Sequence, residues 1–543
     1  MMFRFCRSLT TTCLLLLAVG WLFSACSIEQ NVPAVTGEPR NTIETSSEQE
    51  ALPAQKPDMA SGELRLWWSK RQILNPLLDN SQSGQSVNGL IFDGLFSVDE
   101  HQMIQPALAD KMFRTDSSGN PAVDIRLAAG FEFHNNQPVT AADVKACIDF
   151  IKANSDQSPY ALQLSGVIEA EVVDDLTIRL LLEQPDPWLA YALTFPVVPA
   201  VSLKSGAGEL FPGTGIFRME AFDANTGLLL IRHRPTEEIN ALERIRVIPY
   251  AGPMDALKAL EEDQIDLIDL SPDLYHKMSL RGSLRFDHYL SGDLVFLLYN
   301  TNQRRVLADE NRLAFVKRIL TAAAVHQTGR FPTTEQAEIP LPQSSFILAD
   351  GYLLSEAESA DTIESVWPEG GGQLIVVFPA YDRLRNQVAE VAADLLDQAG
   401  VKATVRPLGE AAFRAALLSG QFDIAILEAR LPLEPDVTWL YGADRPEAYS
   451  LLDQIAGPTM TGYDLWIGRL TASLDLVALV PGHDKTALLY NLYETDARSV
   501  WSCLLFRQSA VLYGDRVIGQ CKPVRQNPYN GVEELWIWPG RSS

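Results

Sequence analysis

Apolar and polar positions along the chain fall into two periods. Residues Ala122–Ala128 alternate, with Val123, Ile125 and Leu127 on one face and Asp124 and Arg126 on the other. That predicts a half-buried strand. It follows a turn signal at Asp116–Pro121 (Asp-Ser-Ser-Gly-Asn-Pro) and precedes a helix start at Thr140. There the Thr140 hydroxyl can accept from the Asp143 N–H, Asp143 favours the helix N-terminus, and Val139 and Val144 occupy staple positions. Glu63–Trp68, Leu228–Arg234 and Ile245–Pro249 read as strands, and Val167–Glu183 as two strands around a turn at Asp174-Asp175. Asp255–Glu262 reads as a helix. So does Asn311–Ala324, with Leu313, Val316, Leu320 and Ala323 at helical spacing. Leu374–Phe378, Leu384–Ala399 and Val401–Leu408 form a strand–helix–strand unit whose helix carries Val388, Val391 and Leu395 on one face and Gly400 at its C′ position. A helix over Glu410–Gly420, a strand over Phe422–Leu427 and a helical pattern over Tyr463–Ala497 follow.

The N-terminus has a different character. Arg4 and Arg7 precede an apolar run, Leu14–Phe23, too short for a membrane span. The run ends in Leu22-Phe23-Ser24-Ala25-Cys26, which resembles a bacterial lipobox, so Cys26 is the expected lipid attachment point. Residues Ser27–Ser61 are rich in Glu, Pro, Ser, Thr and Gln, the composition of a disordered tether.

Composition adds exclusions. The 543 residues can form several domains around large cores. A net charge of −25 argues against a nucleic-acid partner and against broad adhesion to an anionic membrane. The seven histidines are scattered. No G-x-S-x-G, HExxH or P-loop pattern occurs, and no Cys/His group has metal-ligand spacing. Neither a catalytic residue nor a cofactor is expected. Cys147 reads as a buried small apolar residue, while Cys503 and Cys521 could pair in an exported protein.

One long ordered stretch carries a family resemblance. Ile104–Ile151 runs from a Pro-Ala-Leu-Ala turn through a Ser-Gly-Asn-Pro turn and a strand to Gly130-Phe-Glu-Phe-His-Asn-Asn-Gln-Pro-Val-Thr-Ala-Ala-Asp-Val144. This order resembles the family 5 extracellular solute-binding proteins, the peptide, dipeptide and nickel-complex receptors of bacterial ABC importers. Gly213-Thr-Gly-Ile-Phe-Arg-Met219, the strand Leu228–Arg234, Ile265-Asp-Leu-Ile268 and Leu294–Asn302 resemble further family segments in the same order. The glycines of the first permit positive φ and close backbone approach.

The resemblance implies an α/β, two-lobed periplasmic-binding-protein-like fold of the large type, with an extra domain inserted in the first lobe. The first lobe would comprise residues 62–96, 205–292 and 499–543, the insertion 97–204, and the second lobe 293–498. It also implies a lipid-anchored, monomeric receptor outside the cytoplasm, holding a peptide-like solute between the lobes and delivering it to permease subunits. Alternatives are a sensor on the same fold and a secreted hydrolase.

Ligand contacts are expected from Leu427–Tyr441, at the carboxyl end of a strand. In peptide-binding relatives this segment carries an aspartate for the peptide amine, three residues before an acidic-Pro pair. Here the pair is Glu434-Pro435 and the matching position is Leu431. Glu428, Glu434 or Asp436 would then meet a cation and Arg430 an anion, with Trp439 stacking on the ligand. Tyr299, Asn300 and Asn302 are expected near the cleft. His134 reads as a packing or hydrogen-bonding residue.

Overall fold

A computed structural model describes residues 60–539 except 70–73, 118–119, 187, 205–209, 239, 280–283, 303, 347, 349–366, 368–371 and 435–500. The lipobox with Cys26, most of the tether, Asp436, Trp439 and the pattern at Tyr463–Ala497 lie outside the described residues.

The fold is two-lobed, with an extra α/β layer inserted into the first lobe. The first lobe contains a four-stranded sheet in the order Leu64–Ser69, Arg244–Tyr250, Gly227–Arg232, Phe217–Asp223. Its first pair is parallel and the others antiparallel. Leu64, Leu66, Leu228, Leu230, Ile245 and Val247 fill one core with the inserted domain. Asp266 fastens this sheet to the next. Its buried carboxylate accepts from the Arg65 backbone N–H at 2.8 Å, from the Arg65 guanidinium at 2.8 and 3.0 Å, and from Arg516 at 3.2 Å.

The inserted domain is an antiparallel sheet in the order Ala109–Ser117, Asn120–Leu127, Thr177–Leu182, Val167–Asp174, packed against the helix Ala141–Ala153. That helix buries Val144, Cys147, Ile148 and Ile151, spaced for one face. Its N-terminus is held by the Asp143 carboxylate, which accepts from the Thr140 N–H at 3.0 Å, the Thr140 hydroxyl at 2.7 Å and the Ala200 N–H at 2.9 Å. His134 joins the insertion to the first lobe: Nδ1 accepts from the Gly213 N–H and Nε2 donates to the Gly215 carbonyl, both at 3.1 Å. That pattern requires the neutral ring, and burial lowers its pKa to about 4. His134 therefore has the hydrogen-bonding role expected of it. Gly213 and Gly215 are needed for close approach rather than positive φ, since a Cβ would stand 1.9 and 2.7 Å from backbone atoms of Ile91 and Leu90.

A seven-stranded sheet runs through both lobes. Its path is Leu267–Leu270, Trp501–Tyr513, Phe286–Tyr299, Ile424–Arg430, Leu374–Pro379, Ala403–Leu408, and Thr334–Gln336 also pairs with Trp501–Tyr513. Leu374–Pro379 and Ala403–Leu408 pair in parallel around the helix Arg383–Gln398, the expected strand–helix–strand unit. The helical stretch read over Asn311–Ala324 is instead two helices, Glu310–Ile319 and Ala322–His326. Thr321 caps the second through a 3.1 Å bond from the Ala324 N–H to its hydroxyl, which ends the first.

Two long crossing strands, Phe286–Tyr299 and Trp501–Tyr513, lie side by side in this sheet. Phe286–Leu290 pairs with Gln508–Leu512, and Leu294–Leu298 pairs with Trp501–Phe506. The ladder is broken between them, at Ser291-Gly292-Asp293, where Gly292 has φ +84°. A ladder broken at Ser291-Gly292-Asp293, with a second register shift between Val295 and Phe296, is where a hinge can absorb backbone rotation.

The possible Cys503–Cys521 disulfide is not formed. Cys147, Cys503 and Cys521 are all buried and none is bridged. Cys503 packs in one core cluster with Phe296 and Trp501, whereas Cys521 packs in another with Tyr513 and Tyr529, so the two thiols belong to separate clusters.

Candidate ligand cleft

A cavity of about 250 Å³ lies beside the broken ladder. Six chain regions meet there: the loop Val98–Gln102, the crossing strands at His288–Gly292 and Phe506–Gln508, the segment Glu335–Ser344, Leu431–Leu433 after the strand Ile424–Arg430, and Pro523–Gln526 near the C-terminus. The walls are apolar at Val98, Leu290, Leu431, Leu433 and Phe506, with a few polar groups between, the usual composition of a small-molecule site. A second, smaller cavity of about 90 Å³ is lined by Asp273, His276, Thr333, Tyr381 and Arg507. It holds only a few waters, so the larger one is the candidate site.

Leu431 is buried and lines the cavity, and its N–H donates to the Gly292 carbonyl at 2.8 Å. The position matching the amine-binding aspartate is therefore at the cleft and apolar. Glu434 lies close enough to Tyr191 and Arg525 to influence both.

The other sequence candidates are placed elsewhere. Glu428 and Arg430 belong to the strand Ile424–Arg430, not to a loop after it. Glu428 is engaged by Arg507 at 2.7 Å. Arg430 is 70 % exposed and its Nε stands 3.9 Å from Asp293. Tyr299 is fully buried in the second-lobe core, and Asn300 donates to the Gly420 and Phe422 carbonyls at 3.1 and 2.9 Å. Asn302 accepts from the Arg304 N–H at 3.2 Å as a turn. These three sit at the far end of the crossing strand, where they close strand and turn hydrogen bonds, and none lines the cavity.

A charged cluster at the crossing strand escaped the sequence reading. Arg507 is 7 % exposed and meets three carboxylates: Glu428 at 2.7 Å, Asp382 at 2.5 Å and Asp273 at 3.0 Å. Asp382 also accepts from the Arg385 N–H at 3.0 Å and its Nε at 2.7 Å. Burial alone would raise Asp382, but Arg507, Arg385 and the backbone N–H outweigh it and hold the carboxyl below its ordinary value. At Glu428 burial wins over Arg507 and Arg385, and the carboxyl is pushed up. Asp273 follows the strand Leu267–Leu270, Glu428 belongs to the strand Ile424–Arg430 and Asp382 caps the helix Arg383–Gln398, so Arg507 ties three elements together beside the break.

The sequence profile of the bacterial extracellular solute-binding proteins, family 5 Middle, matches residues 103–445, more than half of the chain. The chain belongs to this family. It is 24 % identical over 320 residues to the uncharacterized protein YhjP of Bacillus subtilis, which covers 57 % of this chain and 54 % of that one. It is 29 % identical over 157 residues to the glutathione-binding protein GsiB of Pectobacterium atrosepticum, 28 % of this chain and 30 % of that one. The chain thus spans about half of the first relative and under a third of the second. Among solved structures, an ABC transporter substrate-binding protein of Sinorhizobium meliloti superposes with TM-score 0.69 at 16 % identity, covering 88 % of this chain and 100 % of that one. The unliganded open form of the periplasmic murein tripeptide-binding protein MppA gives 0.67 at 17 %, covering 88 % and 97 %. At these identities the structures speak for the fold alone.

Proposed function

We propose that this family 5 solute-binding protein is the receptor of an ABC importer, capturing a small peptide-like solute in the 250 Å³ cavity and presenting the closed form to a membrane permease. The observation that carries the reading is the position of the cavity: it touches both crossing strands where their ladder is broken, so closing the hinge closes the site. Binding, not turnover, is the proposed activity. The first lobe would be 62–96, 205–292 and 499–543, the insertion 97–204 and the second lobe 293–498.

The ligand differs from that of ordinary peptide receptors. Leu431 cannot compensate an ammonium, and an unpaired buried charge costs several kcal/mol. Dipeptides to pentapeptides with a free α-amine therefore bind poorly. A thermal-shift screen reads this directly, because a ligand present at about 100 times its Kd adds about 2.7 kcal/mol of apparent stability. Strong stabilisation by common unblocked peptides contradicts the Leu431 argument. A bound solute recovered chemically unchanged supports the receptor.

The receptor is anchored outside the cytoplasm by lipid on Cys26, with the residues up to Ser61 as tether. Cys26→Ala moves the protein from the membrane pellet to the soluble fraction. Retention of the variant in the pellet rules the anchor out.

A further inference from the structure

The polar groups of the cavity are unequally satisfied. Asp99 is saturated: Oδ1 accepts from the His101 and Met103 N–H groups, each at 2.9 Å, and Oδ2 from Gln105 at 2.8 Å. Glu335 accepts from the Gln343 N–H at 2.8 Å, and burial pushes its carboxyl up. Tyr289 donates its hydroxyl to Asp269 at 2.7 Å. These groups already have partners.

Two others have none, and a third is only partly satisfied. The Gln526 amide nitrogen and the Gln102 amide oxygen are buried without a hydrogen-bond partner among the described residues, and both residues line the cavity. Each such atom carries the penalty of a buried, unmade hydrogen bond unless something fills it. Gln102 is held in place at that cost: it has φ +62°, unusual for a residue with a Cβ, and its carbonyl accepts from the Tyr191 hydroxyl at 2.5 Å. The third is Arg525, the one Lys or Arg among the described cavity-lining residues. Its guanidinium makes a single hydrogen bond there, from Nη1 to the Pro432 carbonyl at 3.1 Å, with no ion pair within 4 Å among the described residues. Burial, with Arg430 nearby, lowers its pKa to about 10, and Asp293 and Glu434 offset this only in part. A buried, under-neutralised guanidinium and an orphan amide N–H donor line the same cavity.

We propose that the cavity takes its solute by a carboxylate seated on Arg525 and Gln526, with the Gln102 amide oxygen receiving an N–H of the same molecule. The ligand class is a small amide-bearing carboxylic acid, anchored by its acid end rather than its amine. A guanidinium fork matches a carboxylate, and the charge-assisted bonds are about twice as strong as neutral ones. Apolar Leu431 and Leu433 then face the uncharged part of the ligand. This inference rests on the receptor reading and deepens it.

The test is calorimetric titration of the full chain with N-acetyl-dialanine, its C-terminal amide, and unblocked dialanine. N-acetyl-dialanine binds at least about tenfold more tightly than its amide, the scale of one charge-assisted hydrogen bond. R525Q abolishes that difference. R525K keeps part of it, because the charge remains and the fork is lost. Thermal melts without ligand check that each variant is folded, and the acid–amide comparison needs no variant at all. Equal binding of acid and amide overturns the proposal. If none of the three probes binds, native mass spectrometry decides it and separates the two readings. A neutral or cationic solute co-purifying with the protein leaves the receptor standing without the carboxylate site, and an acidic solute lost from R525Q supports both. No co-purifying solute, together with no stabilising peptide in the thermal screen, overturns the receptor itself.

Discussion

Replacing Arg507 by methionine lowers the free energy of unfolding by about 3–5 kcal/mol, the usual consequence of removing one partner from a buried ionic group. Methionine has similar reach and fills the space of a side chain that is 7 % exposed, so cavity formation contributes little. The loss comes from the carboxylates left behind. Asp382 keeps Arg385 and its backbone N–H, whereas among the described residues Glu428 is ion-paired with Arg507 alone. Asp273 is largely exposed, and water replaces its partner.

This account has a pH signature. Burial already raises the Glu428 carboxyl, and without Arg507 it rises further. A carboxyl whose folded pKa lies above its unfolded value destabilises the protein once pH exceeds the unfolded value. The penalty grows until pH passes the folded pKa and vanishes below the unfolded one. Arg507→Met is therefore most destabilised near neutrality and recovers towards pH 4–5. Adding Glu428→Gln restores at least half of the loss at pH 7, as a double-mutant cycle in urea would measure. A loss independent of pH, unrelieved by Glu428→Gln, would show that Arg507 acts through packing.

Local elements of this chain were legible because their signals are local. The helix Ala141–Ala153 has its cap, its apolar stripe and its acidic first turn within fourteen residues. The unit Leu374–Leu408 has two apolar strands around an amphipathic helix closed by Gly400, φ +78°. The crossing strand was read only from Leu294 because Asp287, His288, Ser291, Gly292 and Asp293 disrupt its apolar pattern. Those residues are extended because Gln508–Leu512, over 200 residues later, pairs with them. The same long-range pairing extends the strand through Glu428 and Arg430, which sequence placed in a loop. Leu431 was found because it sits at a fixed distance from Glu434-Pro435. Nothing near Arg525, Gln526 or Gln102 marks a site; the fold alone brings them to one cavity.

Gly292→Ala destabilises the protein by more than Gly400→Ala, and the excess reports on the hinge. Both glycines lie in the left-handed region, at φ +84° and +78°, where a Cβ costs roughly 1–2 kcal/mol. At Gly400 a Cβ meets nothing within 4 Å, so only the backbone cost is felt. At Gly292 the Cβ would stand 2.4 Å from Arg525 Nη1 and 2.7 Å from its Cζ. The guanidinium must move, and the bond from Nη1 to the Pro432 carbonyl goes with it. That bond spans from the C-terminal segment in the first lobe to the end of the strand Ile424–Arg430 in the second. The added loss is about 1–2 kcal/mol, the value of a hydrogen bond from a charged donor. The excess disappears when both alanine variants are remade in an Arg525→Ala background, because no guanidinium is left to displace. Urea midpoints of the four variants decide the matter. Equal losses for Gly292→Ala and Gly400→Ala would mean that Arg525 yields at no cost and does not hold the lobes at this point. An excess that persists without Arg525 would place the strain in the backbone of Ser291-Gly292-Asp293 itself, where the two halves of the crossing strand change register.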